Sequence, residues 1–331
     1  MMSGARTLAV TGATGFTGQA LAKRLAADGH QVRALARADS ALPPEPGIVR
    51  VEGDLQDQDA LDRLVAGANT VFHIAAMYRS EGTSEEFLAV NYEATQALVK
   101  ACRRAEVQRF VYCSTIGVHG SVEHSPSDES AAFNPRDPYQ QSKALAEQYC
   151  LAEMDRGGLE IVIIRPCAIY GPGDTRMLKM FRMIRRGLFF FVGDGAANFH
   201  PVYIDDLVDA FVLSMESQAA AGEAFIIGGP RYLPLREYVG AAARALDRKP
   251  PRLHLPYGPL YLLARIVEAV CAPLGLQPPL HRRRLKFFKH NRAFTSGKAQ
   301  AKLGYRPKID LDEGFRRTVS WYRQTGLLPR R

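Results

Sequence analysis

The 331-residue chain has no run of about 20 uncharged apolar residues, so no segment of it is built to cross a bilayer as a helix. No cationic stretch with an apolar core precedes the first strand, and Met1 leads almost directly into it, so no signal peptide is expected. Only five cysteines occur (Cys102, Cys113, Cys150, Cys167, Cys271), an odd number with no CxxC pair. That excludes a disulfide framework and a cysteine zinc site, and fits buried thiols in a reducing compartment. His119, His124 and His200 are dispersed without metal-ligand spacing, so no metal is expected. Low-complexity tracts and internal repeats are lacking too. Acidic residues are outnumbered, 34 against 43 basic, for a net charge of +9. No nucleic-acid signature accompanies that excess, so no nucleic-acid partner is expected. The expected location is the cytoplasm. Ordinary proportions of apolar (47%) and charged (23%) residues allow a full core, in two domains or one large α/β unit.

The first informative segment is Leu8-Ala9-Val10-Thr11-Gly12-Ala13-Thr14-Gly15-Phe16-Thr17-Gly18, an apolar strand entering glycines spaced three apart. Gly12 permits a tight turn, Gly15 lets backbone approach a pyrophosphate, and Gly18 lets the following helix pack closely. The helix start then presents free N–H groups to phosphates. Between a strand and a helix, this is a dinucleotide-binding turn.

Short apolar strands and helices alternate from there. Helices are expected at 19–27, 57–66, 85–105, 139–156 and 204–215. Strands are expected at 31–37, 48–54, 70–74, 109–114, 160–165 and 224–227. This pattern predicts an α/β, Rossmann-type doubly wound parallel sheet with its ligand at the carboxyl ends of the strands. After Gly171 the alternation loosens. Residues 1–170 and 202–229 are therefore expected to form the dinucleotide-binding domain, and 171–201 and 230–331 a smaller, discontinuous C-terminal substrate lobe.

Asp137-Pro138-Tyr139-Gln140-Gln141-Ser142-Lys143 carries the chemistry. Asp137 is a plausible N-cap and Pro138 fits the first helical position, so Tyr139 and Lys143 lie one turn apart. An ammonium there favours phenolate, drawing the tyrosine toward working pH, where it exchanges a proton with a ketone or alcohol. A bare Tyr-x-x-x-Lys match is by itself more often a solvated helix pair. The hydroxyls of Ser114-Thr115, emerging where a central strand ends, supply the partner that overturns this; the bland alternative is a hydroxyl bonding its own backbone. His73 is read as held by packing, and Asp205-Asp206 as a helix cap.

Together these residues resemble the extended short-chain dehydrogenases/reductases, the group of nucleotide-sugar epimerases and 3β-hydroxysteroid dehydrogenases, over essentially the whole chain. Residues 11–18 resemble the TGxxGxxG turn, Gly53-Asp54-Leu55 the adenine-contacting segment, and Phe72-His73-Ile74-Ala75-Ala76 the stretch beside the nicotinamide ribose. Asn91-Tyr92-Glu93-Ala94-Thr95 is similar to the family's NxxGT helix start. The resemblance implies a catalytic set of Thr115, Tyr139 and Lys143 with Ser114 adjacent. It implies cofactor contacts at Gly12, Thr14, Gly15, Phe16, Thr17, Gly18, Arg37, Asp54, Leu55, Ala75, Ala76, Asn91, Lys143 and Pro166. It also implies a homodimer through the faces of helices 85–105 and 139–156.

Ala36 stands where NAD-using relatives carry an acidic residue, and Arg37 follows, with Arg33 close by in sequence. NADP(H) is favoured over NAD(H) on that balance. Arg165-Pro166-Cys167-Ala168-Ile169-Tyr170-Gly171-Pro172 has Ala168 where the nucleotide-sugar branch has asparagine, and Phe199 stands where that branch has arginine. Losing both removes charge-assisted contacts worth about 1.5–3 kcal/mol each. The form is closer to hydroxysteroid dehydrogenases and flavonoid reductases. The expected function is thus ketone–alcohol interconversion on a lipophilic small molecule, sterol-like or long-chain. A nucleotide-sugar epimerase or dehydratase is the alternative, with Arg176, Lys179 or Arg182 binding a pyrophosphate. A non-catalytic cofactor sensor is a third class, disfavoured by the intact Tyr139–Lys143 pair. The apolar segment Leu260–Val270 and the basic run Arg282–Lys289 read first as a lobe helix with a solvated face. The other reading is peripheral docking on an anionic membrane.

Overall fold

The computed structural model describes residues 4–78, 82–122, 124–271, 276, 285 and 291–330. Its first half alternates β1 (Thr7–Thr11), α1 (Phe16–Ala27), β2 (Gln31–Ala36), β3 (Ile48–Glu52), α2 (Gln58–Val65) and β4 (Thr70–His73). Then come α3 (Ser84–Leu88), α4 (Ala94–Arg104), β5 (Arg109–Cys113), α5 (Pro138–Met154) and β6 (Glu160–Pro166). β7 (Ala168–Tyr170), α6 (Leu178–Arg185), β8 (Phe191–Val192), β9 (Asn198–Phe199) and β10 (Pro201–Tyr203) lead to α7 (Ile204–Glu216) and β11 (Glu223–Ile227). β12 (Leu233–Pro234), α8 (Leu235–Ala245), β13 (His254–Leu255), α9 (Tyr257–Cys271), α10 (Gly297–Leu303) and α11 (Leu311–Gln324) complete it.

Seven strands form one parallel sheet in the order β11-β6-β5-β4-β1-β2-β3. The order reverses between β1 and β4, which opens a crevice at their carboxyl ends. Strand parity assigns the two faces. Leu8 and Val10 join Leu21 and Leu25 of α1 and Phe211 of α7 in one core. Ala9 between them joins Leu61 and Leu64 of α2 and Leu98 of α4 in the other. Strands buried on both faces must be apolar throughout, which is why they read as continuous hydrophobic runs.

The expected elements occur, with shifted ends. Asp137 accepts from Gln140 N at 2.9 Å and Pro138 opens α5, as the spacing predicts. The helix expected at 85–105 occurs as unbroken helical backbone from Ser84 to Arg104, with a π turn inside it. α3, capped by Thr83 and Glu86, passes into a π turn at Ala89–Glu93 before α4. Asp205-Asp206 does not cap α7. Asp206 instead accepts the backbone N–H groups of Lys308 (2.8 Å) and Ile309 (3.2 Å), tying down the segment that enters α11.

Beyond β6 the short pairs β7–β10, β9–β12 and β8–β13 brace an aromatic cluster. Phe315 of α11 meets Tyr170, Phe181 and Tyr238 edge-on at centroid distances of 5.1, 5.3 and 5.0 Å. This cluster carries the 171–176 loop over the start of α1: a Cβ at Gly173 would stand 3.1 Å from the Phe16 ring. α9 buries Ala264 against Val192 and Leu285, while Leu262, Leu263, Ile266 and Val270 are each about half exposed. Of the basic run 282–289, all but Leu285 lies outside the described residues. Among the described residues no helix is long and apolar enough to cross a membrane.

Candidate active site

Parallel strands deliver the predicted positions to one edge of the sheet. Residues 12–18 follow β1, Arg37 follows β2, Asp54 and Leu55 follow β3, Ala75 and Ala76 follow β4, Ser114 and Thr115 follow β5, and Pro166 ends β6. The turn after β1 is built around absent side chains. Gly12 has φ +74°, and a Cβ there would lie 2.7 Å from Ala75 N. A Cβ on Gly18 would lie 2.2 Å from Gly12 O, so α1 starts hard against the strand end. Gly15 and Thr14 are exposed, and no side chain caps α1. Uncapped N–H groups over an open glycine turn suit a pyrophosphate. The residues present therefore fit a dinucleotide.

Beneath this turn lies a closed hydrogen-bond chain. His73 Nδ1 is 2.8 Å from Thr11 Oγ1, and Nε2 is 2.9 Å from Thr95 Oγ1, which donates to Asn91 O at 2.7 Å. Ala75 N donates to Thr11 Oγ1 at 3.2 Å. With its own proton committed to Asn91, Thr95 must accept from Nε2–H, leaving Nδ1 to accept from Thr11. Burial pushes His73 down to about 3, so the ring is neutral and structural. It clamps the ends of β1 and β4, as its reading as a packed residue implied.

Asn91 is 1% exposed, and its amide is already satisfied. It accepts from Met77 N (2.7 Å) and donates to Met77 O (3.1 Å) and Ser142 Oγ (2.9 Å). Ser142 in turn donates to Tyr139 O at 2.9 Å. Asn91 thus ties the post-β4 segment to α5. The π turn aims its side chain there.

Tyr139 and Lys143 share one face of α5. Lys143, 1% exposed, donates from Nζ to Cys113 O at 2.7 Å and lies 4.0 Å above the Tyr112 ring. Burial pulls it down to about 8, opposed by Cys113, Cys150 and Glu147. Tyr139 packs edge-on against Tyr78 at 4.8 Å. Its phenol is raised by burial first, then by Tyr78, Cys113 and Asp137, and the cation opposing this is Arg176. The expectation that Lys143 draws the phenol down is thereby corrected. Lys143 donates to Cys113 O, and burial is the largest influence on the phenol.

The two hydroxyls at the end of β5 separate. Ser114, buried, donates to Glu147, which forms an ion pair with Arg165 at 2.5 Å. Its hydroxyl proton is thereby committed to Glu147. Thr115 Oγ1 accepts from Gly117 N at 3.0 Å and keeps its proton to donate. The Glu147–Arg165 pair escaped the sequence reading. Its signal was present, since Glu147 lies one turn beyond Lys143 on the same face.

Around the end of β2, Arg33 is committed to the end of α2 through Ala66 O and Arg63 O. Arg37 is exposed, 3.6 Å from Asp39. Arg50, which the sequence reading missed, reaches across from β3 to Arg37 O, Ala38 O and Ser40 O. Parallel register pairs it with Ala34, two residues before the strand end. Asp54 accepts from Gln56 N and Asp57 N at 2.8 and 3.1 Å, which shapes the turn into α2.

The NAD dependent epimerase/dehydratase family model matches residues 8–228. A 2-alkyl-3-oxoalkanoate reductase of Stenotrophomonas maltophilia is 32% identical over 93% of this chain and 97% of its own. A 3 beta-hydroxysteroid dehydrogenase/Delta 5-->4-isomerase of Mycobacterium tuberculosis is 30% identical over 95% of this chain and 89% of its own. Among solved structures, gox2253 superposes with a TM-score of 0.83 at 30% identity, covering 98% of this chain and 99% of that one. MoeE5 in complex with UDP-glucuronic acid and NAD superposes with a TM-score of 0.76 at 26% identity, covering 96% and 99%. The glycine turn, the strand-end sites and these matches establish the chain as a member of the NAD-dependent epimerase/dehydratase family, an extended short-chain dehydrogenase/reductase that works with a nicotinamide dinucleotide.

Proposed function

We propose that this enzyme interconverts a ketone and a secondary alcohol on a lipophilic substrate, using NADP(H). The observation that carries the chemistry is Tyr139 on α5 beside a strand end that holds Thr115 with its proton free. When bound, the nicotinamide supplies or accepts the hydride. Tyr139 holds the proton at the substrate oxygen, and Thr115 donates a second hydrogen bond to that oxygen. Lys143 ties α5 to the end of β5 through Cys113 O, and on the family pattern it would hold the cofactor ribose.

The lipophilic reading is supported by the two relatives, named for an oxoalkanoate and a steroid. Phe199 also supports it: this residue packs on Tyr238 at 4.6 Å, inside the aromatic cluster where the nucleotide-sugar branch has arginine. NADP(H) is supported by the missing carboxylate at Ala36 and by Arg37 with Arg50 at the adenosine end. The second reading, nucleotide-sugar epimerisation or dehydration, is favoured by the fold match to MoeE5. Purified protein assayed with NADPH or NADH against long-chain 3-oxo compounds, steroid ketones and UDP-sugars tests this. Ketone-dependent NADPH oxidation is expected. Turnover confined to UDP-sugars, or a clear NADH preference, overturns the corresponding part.

The half-exposed face of Leu262, Leu263, Ile266 and Val270, with basic residues following in sequence, supports contact with an anionic lipid surface. Salt-sensitive co-sedimentation with anionic liposomes is the expected result, and its absence removes the idea. A homodimer through α4 and α5 is proposed on the family pattern alone.

A further inference from the structure

We propose that Arg176 recognises an acidic substrate, its guanidinium taking the carboxylate of a 3-oxo or 3-hydroxy acid whose C3 oxygen faces Tyr139. This rests on the dehydrogenase reading and narrows its substrates from lipophilic ketones and alcohols to lipophilic acids.

Arg176 is a held cation, not a loose surface arginine. Its Nε and Nη2 donate to the two carboxylate oxygens of Asp174 at 2.7 and 3.1 Å, and its backbone N donates to Asp174 Oδ1 at 2.8 Å. Nη2 also donates to Ile169 O at 3.0 Å. Asp174 is 2% exposed, and its carbonyl accepts the Tyr322 phenol at 2.5 Å, so α11 anchors the whole arrangement. Asp174 occupies the Nε–Nη2 edge of the fork and Ile169 O takes the second Nη2 proton, which leaves the two protons of Nη1. Nη1 has no acceptor among the described residues, and a third of the side chain stays open. A guanidinium so fixed loses little freedom when a second carboxylate docks on Nη1.

Its position selects the substrate. Cζ lies 5.5 Å from the Phe16 ring, at the start of α1, and 6.0 Å from the Tyr78 ring. Tyr78 packs on Tyr139, so a single aromatic ring separates the cation from the phenol. In a 3-oxo acid the carboxylate carbon is two bonds from C3. In the proposed binding mode the phenol takes the oxygen and the guanidinium the acid of one short fragment, with the alkyl remainder leaving over the apolar lobe. Arg182, a second cation that a pyrophosphate would use, is turned to Leu327 O at 3.1 Å.

The test compares 3-hydroxydecanoate with its methyl ester on the full chain. Calorimetric dissociation constants are measured with NADP+ present, alongside kcat/KM. The wild type is expected to prefer the acid. Arg176→Met is expected to weaken acid binding about 10- to 100-fold and bring the acid-to-ester ratio toward one. Arg176→Lys should restore part of it. Equal wild-type affinity for acid and ester overturns the proposal. So does an Arg176→Met loss that falls on NADP+ affinity with the acid-to-ester ratio kept, which would assign the arginine to cofactor phosphates. If Arg176→Met does not fold, the wild-type ratio and the lysine variant decide. Acid-selective binding without turnover of any alcohol would instead sink the dehydrogenase reading and leave the arginine site standing.

Discussion

Replacing Lys143 with methionine should stabilise the protein, because the fold holds a buried ammonium against a desolvation cost. Lys143 drops from 10.5 to about 8 on burial, despite its hydrogen bond to Cys113 O and its seat over Tyr112. That shift corresponds to roughly 3 kcal/mol of bias against the charged form. Between pH 8 and 10.5 the unfolded chain therefore binds more protons at this position than the folded one. The contribution of Lys143 to stability is thus least favourable below pH 8 and improves as the pH rises through that window. Methionine fills similar volume without the charge. Urea unfolding at pH 7 should show Lys143→Met more stable by up to about 3 kcal/mol. By pH 10.5 most of that advantage should be gone, since both side chains are then neutral. The difference between the two proteins cancels every other titrating group. A difference that stays flat across the window, or a variant less stable at pH 7, would refute the claim that the charged lysine is held against a desolvation cost.

Three further outcomes follow. Glu147→Ala leaves Arg165 buried without its partner and should cost about 3–5 kcal/mol in urea unfolding; a cost below about 1 kcal/mol would show the pair to be dispensable. Gly18→Ala places a Cβ 2.2 Å from Gly12 O, so dinucleotide binding by calorimetry should fall at least tenfold, and retained affinity would refute the close-packing argument. Arg50→Ala should lower kcat/KM for NADPH about 10- to 100-fold relative to NADH, the value of one charge-assisted phosphate contact. An unchanged ratio would remove Arg50 from the adenosine end.

The sheet was legible because parallel strands buried on both faces leave an unmistakable run of apolar residues, and because glycine spacing marks the first turn. Tyr139 and Lys143 were legible for a similar local reason: i, i+4 positions on a capped helix must share a face. Side-chain direction was not. Ser114 and Thr115 are adjacent in sequence, yet one hydroxyl donates into the Glu147–Arg165 network and the other accepts from Gly117 N, a choice made by backbone geometry at the strand end. The bonds of Asn91 to Met77 and Ser142 were not legible either, because a π turn lies outside a 3.6-residue pattern. Arg50 was missed because only strand register brings β3 beside the end of β2. The fate of the Tyr139 phenol depends on desolvation and on Arg176, 37 residues away, which no local motif encodes.

The most direct measurement is kcat for Tyr139→Phe, taken together with the affinity of the variant for NADPH. Removing only the hydroxyl should lower kcat by about 10²–10⁴ while the dissociation constant for NADPH changes less than threefold. A phenylalanine variant that turns over ketone at the wild-type rate would contradict the assignment of proton transfer to this residue.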